Sequence, residues 1–185
     1  IKPTSKNALQ ALKALNIKTC MLSGDNEESA KQVASEVMID DVKFKLLPQD
    51  KFNYIENIKN TTAQKIGYVG DGINDAPSLT LADVGISMGI NGSPASIEAS
   101  DIVLVDDNLE KVVSAIKISK YTRKIVWQNI ILAAVVKIVF LTLGAVGITG
   151  MLSAVFADVG VTLLAILNSM RALKYNPNKK KAVKK

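Results

Sequence analysis

The sequence predicts an α/β domain built on a mostly parallel, doubly wound sheet, followed by an α-helical transmembrane hairpin. Short strand-like runs alternate with helical patterns through the first hundred or so of its 185 residues, the signature of parallel β-α units. Two of those strand-like runs end in Gly-Asp turns, Ser23-Gly24-Asp25 and Gly70-Asp71-Gly72. Farther along, charge nearly vanishes: from Ile125 to Met170 the only charged residues are Lys137 and Asp158. That stretch is too long for one core helix and long enough for two membrane spans.

Taken in order, Pro3-Thr4-Ser5 opens a helix whose Leu9, Leu12 and Leu15 share a face. Residues 17–22 read as a strand stopped by Ser23-Gly24-Asp25-Asn26, and Ala30, Val33, Ala34 and Val37 give the next helix its stripe over residues 27–38. A strand at 42–45 leads to Pro48, a natural first helical residue, and a helix to about Ile58. Residues 65–69 form a strand, 74–81 a short helix, 84–88 a strand, 94–99 a helical turn and 102–105 the last strand. From Leu109 a helix runs towards the apolar stretch without Pro or Gly. Gly144, Gly147 and Gly150 divide that stretch into spans at 125–146 and 152–173.

The formal net charge of +6 invites a nucleic-acid reading, but its distribution argues against one. Lys117, Lys120, Arg123 and Lys124 precede the first span, Arg171, Lys174 and the lysines from Lys179 to Lys185 follow the second, and none lies between. This positive-inside pattern places the soluble domain and the C-terminus in the cytoplasm. The Lys-rich tail also lacks the interleaved aromatics of a nucleic-acid surface. Cys20 is expected to be a buried strand thiol, and one cysteine forms no internal disulfide. Ile1-Lys2-Pro3 reads as the interior of a longer polypeptide, so a fragment is expected.

Ligands of doubly wound sheets bind beyond the carboxyl ends of the strands, where both acidic turns fall. Their glycines expose backbone N–H groups and allow close approach. Asp71 and Asp75 are hard oxygen donors suited to Mg²⁺, and Asn74 adds a neutral polar group. Lys51, just after Pro48, supplies a point charge for a phosphoryl group. Metal carboxylates, a lysine and small turns are the parts that phosphoryl transfer needs.

The run Gly70-Asp71-Gly72-Ile73-Asn74-Asp75-Ala76-Pro77 resembles the hinge motif of P-type ATPases, a membrane branch of the haloacid-dehalogenase-like phosphotransferases with their Rossmann-type fold. Ser23-Gly24-Asp25 resembles the family's Thr-Gly-Asp, and Leu47-Pro48-Gln49-Asp50-Lys51 its Pro-x-x-Lys segment. The resemblance implies that Asp71 binds Mg²⁺ with Asp75 and Asn74 ordering the site, and that Lys51 contacts the aspartyl phosphate. It further implies that Ser23, Gly24, Asp25 and Gly72 line the phosphate and ATP side. Residues 1–108 then correspond to the C-terminal part of the phosphorylation domain, 109–124 to a connecting helix, 125–174 to two transmembrane helices and 175–185 to a Lys-rich cytoplasmic tail. The chain has no Asp-Lys-Thr-Gly, Thr-Gly-Glu or Cys-Pro-Cys and no His. The phosphoryl-accepting aspartate is therefore expected elsewhere, in parts of the same pump that also hold the nucleotide-binding domain, the actuator and further membrane helices. Alone, the segment is expected not to hydrolyse ATP.

Charges inside a membrane are costly and point to function. Lys137 lies about 12 residues before the turn near Thr149 and Asp158 about 9 after it, so at about 1.5 Å per residue their depths differ by only about 4–5 Å. They are placed to pair with each other or to face a polar path. Gln128-Asn129, Lys137 and Asp158-Val159-Gly160 resemble the zinc-, cadmium- and lead-exporting branch of these pumps. By that analogy Asp158 ligates the transported Zn²⁺, Cd²⁺ or Pb²⁺ and Lys137 is a built-in counter-cation in a multi-pass plasma-membrane protein. Two other readings are a membrane-anchored phosphatase, which needs an Asp before Ser23 that the chain lacks, and a non-catalytic regulatory or interaction module derived from such a pump.

Overall fold

The computed structural model describes residues 3–106 and 108–178, with the side chains of Pro3 and Met151 left aside. The lysines from Lys179 onward lie outside the described residues, and so does most of the predicted tail. Two compact units part between Val113 and Ser114.

The first unit alternates helices and strands: α1 (Pro3–Ala14), β1 (Cys20–Leu22), α2 (Glu27–Val37), β2 (Asp41–Lys43), α3 (Pro48–Thr61), β3 (Gly67–Gly70), α4 (Ala76–Leu81), β4 (Val84–Met88), α5 (Pro94–Glu98) and β5 (Ile102–Leu104). Local chemistry explains the boundaries. Asn26 caps α2 by accepting the Ser29 N–H at 2.9 Å, Glu27 and Glu28 follow at its positive end, and Met38 stops it in the left-handed region at φ 62°. Pro48 opens α3, and the Asp50 carboxylate accepts the Leu47 N–H at 2.9 Å.

All pairing is parallel, but the strands form two sheets rather than the one expected: β1 with β2, and β3-β4-β5 in that order. Among the described strands only β4 has a neighbour on both sides, and no described strand lies beyond β1 or β3 to join the sheets. β1 begins three residues later than predicted because Asn16 takes φ 58° and Ile17 bonds back to Leu12, while Thr19 is engaged by Asp40 through both its N–H and its hydroxyl at 2.9 Å. Cys20 is exposed rather than buried, since β1 is paired on one side only.

The core uses small and branched side chains, Ala8, Ala30, Ala34, Val37, Ile55, Leu79, Ala82, Ile86 and Leu104 among them. The short helix α4 lies on β3 and β4 so closely that a Cβ at Gly85 would sit 2.6 Å from the Leu79 carbonyl oxygen.

The second unit holds the hairpin. Helix α6 (Glu110–Ala145) begins in the first unit and includes the predicted connecting helix and first span; α7 (Met151–Ser169) continues as a 3-10 turn, Met170–Ala172. Gly147, at φ 79°, makes the turn between them. At about 1.5 Å per residue, α7 and the part of α6 from Ile125 onward are each about 30 Å long, the thickness of a bilayer core. Both helices are long and apolar enough to cross a membrane, and their large side chains face outward, with Leu152 and Phe156 each 76% exposed. A water-soluble surface does not carry so continuous an apolar patch.

Candidate functional site

Strand β3 ends at Gly70, and a 3-10 turn, Ile73–Asp75, carries the chain straight into α4. Gly70 has no room for a side chain, since a Cβ there would lie 2.8 Å from Asp75 Cβ and 3.0 Å from Tyr68 Cε1. The turn therefore folds Asp75 back over the strand end, leaving it 8% exposed.

Three donors converge on that carboxylate. Tyr68 donates its hydroxyl to Oδ1 at 2.7 Å, Lys51 donates Nζ to the same oxygen at 3.2 Å, and the Gly72 N–H reaches Oδ2 at 3.4 Å. Burial pushes the Asp75 carboxyl up, but the hydrogen bonds from Tyr68 and Lys51 outweigh it and hold the group below the usual carboxylate range. Burial raises the Tyr68 phenol, and the bond to Asp75 adds to the effect, so Tyr68 stays a proton donor at any physiological pH.

Asp71 differs from Asp75: it is exposed, and its own backbone is what is fixed. Its carbonyl accepts the Ser93 N–H at 3.0 Å and the Ser96 hydroxyl at 3.2 Å. Asn74 is likewise exposed on the 3-10 turn. No group of three or more His, Cys, Asp or Glu able to hold a metal occurs among the described residues. Mg²⁺ does not need one, because it takes one or two carboxylates and completes its shell with water and substrate phosphate. An open carboxylate at Asp71 fits that mode of binding, whereas the Asp75 carboxylate is already engaged by three donors.

The second predicted turn is pinned to the segment that feeds α3. The Ser23 N–H donates to the Lys43 carbonyl at 2.9 Å, the Leu46 N–H to the Ser23 carbonyl at 3.0 Å, and the Lys45 N–H to the Asp25 carbonyl at 2.8 Å. Within the turn the Ser23 hydroxyl donates to Asp25 Oδ2 at 2.8 Å. Lys51 stands on the first turn of α3, so the helix tied to the Ser23-Gly24-Asp25 turn at its start carries the amine that reaches Asp75. Among the described residues no hydrogen bond or ion pair joins Ser23, Gly24 or Asp25 directly to Asp71.

Sequence reasoning passed over Tyr68, which reads as one more strand residue. The only hint was a hydroxyl-bearing aromatic two positions before the glycine of the turn.

In the hairpin, Lys137 and Asp158 are both exposed, and among the described residues no ion pair joins them. Asn129 closes the helices on each other: its Nδ2 donates to the Ser169 hydroxyl at 2.9 Å and the Ala165 carbonyl at 3.2 Å. Asn168 donates to Asn129 Oδ1 at 2.8 Å and to Gln128 Oε1 at 3.4 Å, and it accepts from Arg171 at 2.7 Å. Near the far ends, Tyr121 and Tyr175 stack at 4.1 Å.

Residues 1–83 match the haloacid dehalogenase-like hydrolase family. The chain is 49% identical over 177 residues to a cadmium, zinc and cobalt-transporting ATPase of Bacillus subtilis (strain 168), a match covering 94% of the chain and 25% of that protein. It is 47% identical to a zinc-transporting ATPase of Synechocystis, over 94% of the chain and 24% of the relative. The chain thus spans about a quarter of the length of the curated relatives it matches. The crystal structure of a zinc-transporting PIB-type ATPase in an E2·Pi state superposes with a TM-score of 0.88 at 35% identity, over 94% of this chain and 28% of that one. A 3-deoxy-D-manno-octulosonate 8-phosphate phosphatase, 21% identical at a TM-score of 0.53, shares the fold of the first unit. Over 94% of its length the chain is thus similar to a segment of heavy-metal-transporting P-type ATPases about a quarter as long as the whole proteins.

Proposed function

We propose that this segment serves an ATP-driven exporter of Zn²⁺ or Cd²⁺, with Pb²⁺ as a further cargo, that works through an aspartyl phosphate formed on another part of the pump. The observation that carries this is the Lys51–Asp75 pair, 3.2 Å apart, beneath a Gly-Asp-Gly turn at a strand end. Asp71 is the direct donor to Mg²⁺, with Asp75 beside it as the acidic group that orders the turn. The bound cation supplies charge neutralisation on the transferred phosphoryl group. Lys51, anchored at one N–H by Asp75, points its remaining donors at a phosphoryl oxygen. Asn74 and Gly72 line the same turn, and Ser23, Gly24 and Asp25 face the ATP side through the start of α3.

In the hairpin, Asp158 is a hard oxygen ligand for the transported cation and Lys137 a fixed positive charge that helps release it. An exposed, unpaired carboxylate and amine on apolar helices favour this over a mutual ion pair, because an unpaired charge in a bilayer is retained for use. The multi-pass arrangement, the cytoplasmic position of the first unit and partnership with the nucleotide-binding and actuator parts belong to the same proposal.

Two variants of the complete pump test it. Asp71→Asn is expected to abolish Mg²⁺-dependent phosphoenzyme, and normal phosphoenzyme in that variant would overturn the assignment of the soluble site. Asp158→Ala is expected to abolish Zn²⁺-stimulated ATP hydrolysis and weaken Zn²⁺ binding; undiminished stimulation and binding would remove it from the transport path.

A further inference from the structure

Nothing in the phosphoryl-transfer reading assigns a part to Tyr68, yet its hydroxyl makes the shortest contact in the site, 2.7 Å to Asp75 Oδ1. The same oxygen accepts Lys51 at 3.2 Å, so the phenol and the amine share one acceptor. The other carboxylate oxygen is held only by the long Gly72 N–H bond at 3.4 Å. Of the three donors, the ammonium stands on a four-carbon stem that follows whatever it binds, and the Gly72 bond is too long to fix an orientation. The tyrosine has only two side-chain torsions, and its ring packs against the position of Gly70. It is the stiff member of the set. The Ser78 hydroxyl, in a residue 1% exposed, makes no hydrogen bond to Asp75.

From this geometry we infer that Tyr68 is a positioning residue: its hydroxyl locks the Asp75 carboxylate from strand β3 and thereby sets where Lys51 meets the phosphoryl group. Without the hydroxyl, Oδ1 answers to Lys51 alone. The carboxylate then turns towards the amine, and Nζ is drawn off the phosphoryl oxygen and onto its own counter-ion. The ring, the strand and the exposed Asp71 are untouched by that loss. The effect should therefore fall on the phosphoryl group and not on the Mg²⁺ donor. The inference rests on the reading of Lys51 as the phosphoryl-binding lysine.

The experiment uses the complete pump with orthovanadate as the phosphoryl probe, and compares wild type, Tyr68→Phe and Asp71→Asn. Tyr68→Phe is expected to raise the half-inhibitory vanadate concentration about three- to tenfold, the scale set by losing one hydrogen bond to a charged group at second hand. Its half-saturating Mg²⁺ concentration should match wild type. Tyr68→Met, which also lacks the donor but fills the space, should show the same separation, and it replaces Tyr68→Phe if that variant does not fold. Unchanged vanadate inhibition overturns the inference. So does a parallel loss of vanadate affinity and Mg²⁺ affinity, which would mark Tyr68 as packing alone. The Asp71→Asn arm tests the underlying reading separately: if that variant still forms phosphoenzyme, the proposed site fails whatever Tyr68→Phe does. If it forms none while Tyr68→Phe behaves as wild type, only the role of Tyr68 falls.

Discussion

Gly85→Ala probes the seat on which the site is built. The added Cβ would lie 2.6 Å from the Leu79 carbonyl oxygen, 3.1 Å from its carbon and 3.3 Å from Leu79 Cα, all backbone atoms that cannot swing aside. Ordinary contact begins near 3.4 Å, so α4 must lift off β4 by roughly 0.8 Å, an overpacking that costs about 1–3 kcal/mol. Because Leu79 is 1% exposed and α4 follows directly on Asp75, the displacement is felt both in the core and at the Lys51 pair. Hydrogen exchange by mass spectrometry reads it locally: exchange at Ile86 and Ser87 should quicken about 5- to 150-fold, at a tenfold change per about 1.4 kcal/mol. Gly67→Ala is the control, since its Cβ would meet nothing nearer than the Val84 carbonyl oxygen at 3.9 Å. Exchange in Gly85→Ala within about twofold of wild type would refute the close packing of α4 on the sheet.

Two further outcomes are expected. Hydrogen bonds from Lys65 and the Ile66 N–H hold the Asp83 carboxyl below its usual range, and the Thr19 N–H and hydroxyl do the same for Asp40. A carboxylate depressed in the folded state contributes its full stabilisation above the unfolded value of about 3.9 and loses it as pH falls through the lower, folded value. The denaturation midpoint of the first unit should therefore fall between pH 6 and pH 3, and less so in Asp83→Asn; an equal fall in both would refute the role of that carboxylate. In the hairpin, Asn168→Leu removes the bonds to Gln128, Asn129 and Arg171 together, which should cost about 0.6–2 kcal/mol of helix association. Titration with sodium dodecyl sulfate in mixed micelles should show earlier unfolding, and an unshifted midpoint would show that the polar cluster contributes nothing.

Where residue type alone decides the conformation, the sequence was an adequate guide. Pro48 and Asn26 mark helix starts through their own backbone and side-chain chemistry, and β4 falls where the apolar run predicts it. It misled where a distant partner decides. Residues 17–19 look like strand, but Asp40 holds Thr19 and the left-handed Asn16 delays the ladder. Cys20 looks like core, but nothing in a single stretch of chain says that β1 lacks a neighbour on one side. Asp75 and Lys51, which the structure brings to 3.2 Å, were legible as neighbours from the turn and the helix start. The contrast between a buried, hydrogen-bonded Asp75 and an exposed Asp71 was not, because it depends on Tyr68 and Lys51 arriving from other elements. The same holds for Gln128 and Asn129, which marked a family resemblance in the sequence and prove to tie α6 to α7.

The one-sided pairing of β1 and β3 bears on how this segment behaves in the test tube. Among the described residues each has no strand on its other side, which leaves it a template for any other extended chain. Produced by itself, the segment should oligomerise through these rims, and Gly67 and Gly70, with no side chains, do little to discourage a stranger from docking on β3. Poor yield or cloudiness of such a preparation would be a property of its exposed seams rather than of a faulty core, and a short synthetic strand supplied in excess should clear it.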